Sequence, residues 1–304
     1  MTSARRARGA PSANLALVGA TLAVSCSAVL IRIAGDDPAT VVWLRMAMAT
    51  VLLAPFVWRD VRRGVVAHGA RQLSLVGVSG LLLAAHFLLW TASLRYTSIA
   101  ASVLLVSLHP VMVSPLGRRL FGERTTAGIL LGMGLALGGT VVTCVADLRF
   151  STTALAGDLL ALGGAASLAG YLVIGRGVRS TLGVAGYSGS VYAIVAVVAA
   201  ATSVAGGVAH MPGARVTLVC LALAAVCTIG GHTVYNWALR HVQALKVSIA
   251  FLGEPPLAAL LAAAVFQSIP SLTTVAGGVL ILAGLAITMR RPSGIATTTL
   301  ESVQ

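Results

Sequence analysis

The sequence predicts an all-α polytopic membrane protein of ten transmembrane helices in two inverted five-helix repeats. Three observations carry that prediction: an apolar composition, a one-sided distribution of arginines, and a self-similarity at constant offset. The 304 residues are 58% hydrophobic and 10% charged, with a mean hydropathy of +0.95, well outside the range of soluble domains. At about 20 residues per span, ten spans and short connections use the whole length. Binding or catalysis is therefore expected within the membrane.

Apolar runs and their breakers place the helices in order. The first, 13–33, follows Arg5, Arg6 and Arg8; this basic start resembles a signal peptide but reads as a retained span, because nine similar runs follow. The second, 39–58, ends at Arg59, Arg62 and Arg63, and the third, 72–94, lies between Arg71 and Arg95. The fourth, 97–117, is interrupted by Pro110 and closed by Arg118 and Arg119; the fifth is 125–145. The sixth, 157–175, stops at Arg176, with Asp158 read as a cap. The seventh is 183–205, and the eighth, 215–238, runs from Arg215 to Arg240. The ninth, 243–264, holds Glu254, Pro255 and Pro256; the tenth, 272–289, ends at Arg290 and Arg291. Residues 1–12 and 290–304 are tails, and 13–145 and 157–289 are the two repeats.

With a cytoplasmic N-terminus, fifteen arginines fall on the inner side and three (Arg95, Arg149 and Arg215) on the outer. Both termini are therefore expected in the cytoplasm, in the cell (inner) membrane. The net charge of +13 is a topology signal and not a nucleic-acid footprint. Cys26, Cys144, Cys220 and Cys227 fall inside predicted spans without CxxC or Cys/His spacing, so they read as packing residues, with no metal or other cofactor expected.

At an offset of 145 residues, Leu15, Ala16, Leu17, Gly19 and Ala20 repeat as Leu160, Ala161, Leu162, Gly164 and Ala165. Leu94 and Arg95 repeat as Leu239 and Arg240, Pro110 as Pro255, and Gly132 and Gly139 as Gly277 and Gly284. Five spans per half is odd, so the second half enters the membrane with opposite orientation. Folds of that kind place the solute site near the midplane, between the halves.

The organising stretch is Lys246 to Ala264. A carboxylate at that depth costs about 2.5–3.5 kcal/mol on insertion scales, so Glu254 is expected to face a wet interior. Pro255 and Pro256 free the carbonyls of Phe251 and Leu252, and a broken helix of this kind is tolerated where it lines a cavity. Glu254 reads as the anchor for a substrate amine or as a proton carrier; the alternative is a structural acid paired with an arginine or a helix end. His109 matches Glu254 under the repeat and precedes Pro110, which frees the carbonyl of Val106. It reads either as a titratable cavity group or as a neutral histidine bonded to a carbonyl.

His86 and Trp90, four apart, share a helix face suited to an amphipathic or cationic solute, although Trp90 also fits an interfacial anchor. His232, Tyr235 and Asn236 share a face of the eighth helix, with Asn236 favoured as cavity lining and Tyr235 open to a place in the interface belt. Tyr171 with Ser167 is a further candidate, while Tyr187 and Tyr192 read as interfacial or packing residues. Arg45 could clamp a substrate carboxylate through two hydrogen bonds or pair with Asp36 or Asp37.

The segments at 109–139 (HPVMVSPLGRRLFGERTTAGILLGMGLALGG) and 252–284 (LGEPPLAALLAAAVFQSIPSLTTVAGGVLILAG), with WLR at 43–45, resemble the EamA type of the drug/metabolite transporter superfamily. The resemblance covers nearly the whole chain. It implies ten helices in two inverted halves and export of amino acids, other metabolites or drugs. The Glu-Pro pair of the ninth helix is similar to that of amino-acid exporters among others. Halves of the family end their fourth and ninth helices in a Gly-Glu turn, present here as Gly122 and Glu123, whereas the second copy has Gln267 and Ser268; that difference bears on the outer gate.

The leading expectation is a carrier that exports a small metabolite, an amino acid or related zwitterion, by alternating access. Its partners are a small-molecule substrate and the lipid bilayer, with a monomer as the simplest state. A broad drug/metabolite permease or a passive channel is the alternative. An intramembrane enzyme using Glu254 with His86 or His109 is disfavoured, since no GxSxG or HExxH motif supplies its chemistry.

Overall fold

In the computed structural model the described residues are 9–93, 96–97, 99–144, 152–267 and 271–290. The expectations for Arg5, Arg6, Arg8, Arg95, Arg149, Arg291 and Ser268 lie outside them. Ten helices follow in order: α1 (Ala13–Ala34), α2 (Pro38–Asp60), α3 (Gly69–Ser93), α4 (Ala101–Phe121), α5 (Ala127–Thr143), α6 (Ala154–Val178), α7 (Val184–Ala205), α8 (Ala214–Ala238), α9 (Ala244–Phe266) and α10 (Leu272–Arg290). Among the described residues nine are long and apolar enough to cross a membrane, and α5 is the shorter apolar tenth. This is a multi-pass membrane protein, with helix bounds a few residues from those the sequence predicts. The sixth helix starts earlier than expected, at Ala154, so Asp158 lies inside it and accepts the Thr97 hydroxyl at 2.7 Å instead of capping it.

Small residues set the packing, as expected in a solvent that gives helices no hydrophobic reason to associate. Gly189 of α7 faces Leu53 and Val57 of α2, Gly80 of α3 faces Ile194 of α7, and Gly231 of α8 lies against Ala20 and Val24 of α1. The α5–α10 contact has a two-fold form. Gly132 faces Gly284 and Thr288, while Gly277 faces Gly139 and Thr143, and each contact is the 145-residue image of the other. The pairing is antiparallel.

Hydrogen bonds tie the helix ends into two layers. At one end Asn14 of α1 donates to the Met289 carbonyl of α10 at 2.7 Å, Gln72 of α3 donates to Thr181 after α6 at 2.9 Å, and Gly186 N–H donates to Asp60 of α2 at 3.2 Å. At the other end Arg215 donates to the Ile33 carbonyl at 3.0 Å, and His210 is 3.0 Å from Asp36.

Candidate functional site

Both predicted breaks are present. α4 is interrupted between Val106 and His109, and α9 between Phe251 and Glu254. Each restarts with its proline at one of the first two helical positions, where the missing N–H costs nothing. His109 and Glu254 are thus the first residues of the restarted segments, and Glu254 lies where the helix dipole favours a negative charge.

Between the breaks lies a cavity of about 420 Å³, within the usual size range for small-molecule sites. Its wall includes Glu254, Arg45, His86, Trp90, His109 and His232, together with Pro255, Phe87, Phe251 and Leu252. It runs along α2 from Pro38 to Arg45 and along α1 from Ile31 to Val24, so it extends toward the bundle end that carries the α1–α2 turn.

The polar wall residues have defined partners. His109 Nδ1 is 2.9 Å from the Val106 carbonyl that Pro110 frees, and Nε2 is 3.2 Å from the Ser248 carbonyl of α9. Both partners only accept, so a neutral imidazole satisfies one of these bonds and an imidazolium both. His86 Nδ1 is 3.0 Å from the Gly164 carbonyl of α6, and its ring lies parallel to that of Trp90 with centroids 6.3 Å apart. His232 sits among aromatic rings, 6.0 Å from Phe87 and 5.7 Å from Phe251. Arg45 is 3% exposed and donates from Nε to Thr228 Oγ1 at 2.8 Å. Asp36, one of the two partners considered for Arg45, instead faces His210 across the end of the bundle.

Three candidates stand behind the wall. Asn236 is fully buried; its side-chain oxygen accepts the Tyr171 hydroxyl at 2.7 Å and its amide donates to Ser188 at 3.0 Å. Tyr171 is stacked on Tyr187 at 6.3 Å. Tyr235 donates to Thr21 of α1 at 2.9 Å and packs its ring on Phe251 at 4.1 Å. Tyr187 and Tyr192 are buried packing residues. Pro110 and Pro256 are buried at the breaks, and of the three prolines only Pro255 is on the cavity wall.

Sequence reasoning missed a π-helical segment, Leu223–Thr233, within α8. Thr228 donates to the Leu223 carbonyl at 3.2 Å and Thr233 to the Thr228 carbonyl at 3.1 Å, both five residues back. The wide turn brings Thr228 to Arg45 and His232 to the cavity. π-Bulges are frequent at functional sites, and the visible signal was a pair of threonines five apart.

A bonded layer at the opposite end was also missed. Glu123 is 4% exposed and accepts from Arg176 Nε of α6 at 3.1 Å and from the Ala244 N–H of α9 at 3.4 Å. Arg176 also donates to the Leu239 carbonyl at 2.7 Å. Burial pushes the Glu123 carboxyl above its ordinary value, and Arg176 pulls against that shift. Gly122 before it takes the left-handed conformation at φ 62°, and Gln267 takes the same conformation at φ 53°. The backbone of the turn is kept in the second half, and its acid is not.

The profile of the EamA-like transporter family matches the chain twice, over residues 11–145 and 155–290. An "Uncharacterized transporter" of Archaeoglobus fulgidus is 27% identical over 279 residues, covering 90% of this chain and 95% of the relative. A solved structure described only as "Crystal structure of protein" superposes with a TM-score of 0.76 at 20% identity, over 92% of this chain and 99% of the other; that likeness concerns the fold.

Proposed function

From the premise that this chain belongs to the EamA-like transporter family, and is therefore a membrane transporter and not an enzyme, we propose that it exports an amino acid or related zwitterion by alternating access through the cavity between its two broken helices. The observation that carries this reading is the joint presence of Glu254 and Arg45 on one cavity wall, an acid for an amine and a guanidinium for a carboxylate. The 13–145 and 157–289 halves act as two inverted repeats rocking about that site. The antiparallel two-fold contact of α5 with α10 supports that arrangement.

In this reading the layer held by Glu123 and Arg176 closes the cytoplasmic end, both termini are cytoplasmic, and the cavity faces outward across the cell membrane. The cluster of Arg59, Arg62, Arg71, Arg118, Arg119 and Arg124 at helix ends supports that orientation. Uptake of single amino acids into proteoliposomes tests the function. The expected result is a saturable flux that Glu254→Gln abolishes. A non-saturating flux indicates a channel, and flux indifferent to Glu254→Gln removes the proposed site.

A further inference from the structure

The two sides of the breaks are packed differently. On the side of the Glu123–Arg176 layer, segment 109–121 of α4 packs on segment 244–251 of α9, and His109 Nε2 lies 3.2 Å from the Ser248 carbonyl across that contact. At the 145-residue offset these segments correspond to 254–266 of α9 and to 101–106 in the first turns of α4. That second pair is not packed in the same way. Both of its members border the cavity, Val103 and Val106 from α4 and Glu254, Pro255 and Ala258 from α9.

Alternating access in an inverted repeat exchanges the conformations of the two halves. A contact that closes one side is then remade on the other by the corresponding residues. His109 corresponds to Glu254 and Ser248 to Val103, so closing the cavity mouth brings the Glu254 side chain to the Val103 carbonyl. The exchange of residues changes the chemistry. A histidine offers an N–H in either charge state, whereas an ionised carboxylate only accepts. Two acceptors brought together away from water repel, and each is left unpaired. With a proton on one oxygen the carboxyl becomes a donor. The Val103 carbonyl takes the Ser107 N–H at 3.0 Å and has a second lone pair for it.

We infer that the Val103 carbonyl is the docking partner of Glu254 when the cavity mouth closes, and that closure of the empty carrier takes up one proton from cavity water onto Glu254. The ionised, empty carrier is thereby held open on the side of the α1–α2 turn. The inference rests on alternating access as proposed above; it concerns the gate and not solute recognition. The charged and titratable groups around Glu254 are Arg45 of α2, His86 of α3, His109 of α4, and Cys227, His232 and Tyr235 of α8. α1 and α6 present uncharged residues to the cavity, Val24, Ser27 and Leu168 among them, and α10 meets the break with Gly278 and Leu285.

A single cysteine at Ala258→Cys, in a background with the four native cysteines replaced, reports the mouth through its reaction with a charged thiol reagent in detergent, with no solute present. Rates are divided at each pH by those of Met211→Cys, a position 85% exposed, which removes the reagent's own pH dependence. Uptake of one proton changes the closing equilibrium up to tenfold per pH unit, so the relative rate is expected to fall at least about tenfold from about pH 9 to about pH 5. Glu254→Gln, whose amide donates at any pH, is expected to be protected at both values. Glu254→Ala, which has no donor, is expected to react at both.

A relative rate that does not change with pH when Glu254 is present overturns the inference, and that comparison requires no change at Glu254. Glu254→Gln as reactive as the unchanged acid at about pH 9 overturns it too. A pH dependence that persists in Glu254→Ala belongs to the histidines and has the same consequence. Because no solute is present, a lack of amino-acid flux does not bear on the result, and failure of the gate leaves the solute site of the proposed function intact.

Discussion

Replacing Arg176 by alanine removes two bonds, one to Glu123 at 3.1 Å and one to the Leu239 carbonyl at 2.7 Å. It leaves the Glu123 carboxylate at 4% exposure with the Ala244 N–H at 3.4 Å as the partner that remains of the two described above. Breaking a buried pair from one side costs roughly 3–5 kcal/mol, because the remaining charge is uncompensated. The cost is limited by the carboxyl's ability to take up a proton, at about 1.36 kcal/mol per pKa unit.

The direction with pH follows from burial. The folded carboxyl already lies above its ordinary 4.5, so the folded state binds the proton more tightly than the unfolded chain. Its contribution is greatest at low pH and falls as pH rises from 4.5 through the folded value. Arg176→Ala removes the group that lowers this value, so the loss extends to higher pH. Unfolding in micelles is therefore expected to show a deficit of about 3 kcal/mol at about pH 8 and a smaller one at about pH 5. Glu123→Gln, which keeps the shape and cannot ionise, should restore most of it in the double variant. A deficit that does not change with pH, or a double variant no more stable than Arg176→Ala alone, refutes the reasoning.

Other consequences follow from particular contacts. A methyl added at Gly139 would lie 2.5 Å from the Gly277 carbonyl oxygen, so Gly139→Val should cost at least about 1–3 kcal/mol by overpacking, measured as a lowered melting temperature and loss of a monodisperse species. Gln267 at φ 53° is a non-glycine residue in the left-handed region, where the penalty is roughly 1–2 kcal/mol; Gln267→Gly should raise the melting temperature, and an unchanged or lower value contradicts the assignment of that turn. The Val208 carbonyl and Asp36 raise the His210 pKa above its ordinary 6.5. The link between the 206–213 loop and the α1–α2 turn is therefore complete below 6.5 and lost as pH rises through the folded value. Hydrogen exchange of that loop should accelerate from about pH 6 to about pH 8, and His210→Ala should remove the change.

The ten helices were legible because apolar length and arginine placement follow from the bilayer as solvent, and the 145-residue repeat divides them into two halves. The two breaks were legible because proline's missing donor acts locally. Of the shared face assigned to His232, Tyr235 and Asn236, only His232 reaches the cavity. Tyr235 and Asn236, three and four residues on, fall to either side of His232 around the helix. That spread sends Tyr235 to Thr21 of α1 and Asn236 to Tyr171 of α6 and Ser188 of α7. The π-helical turn and the Glu123–Arg176 layer stayed hidden for different reasons. Bonds to carbonyls five residues back leave no hydropathy period, and the ion pair joins residues 53 apart that only the packed bundle brings together.

Alternating access here requires a hydrated chamber around Glu254 that opens at the end carrying the α1–α2 turn. Single cysteines at Ser107→Cys and Ala258→Cys, both on the cavity wall, and at the fully buried Ser188 as control, placed in a background with the four native cysteines replaced, can be exposed to a charged, membrane-impermeant thiol reagent from either side. The account predicts modification at 107 and 258 from the side of the α1–α2 turn, with the control inert. Unreactive cavity positions, or reaction only from the Glu123–Arg176 side, would contradict it.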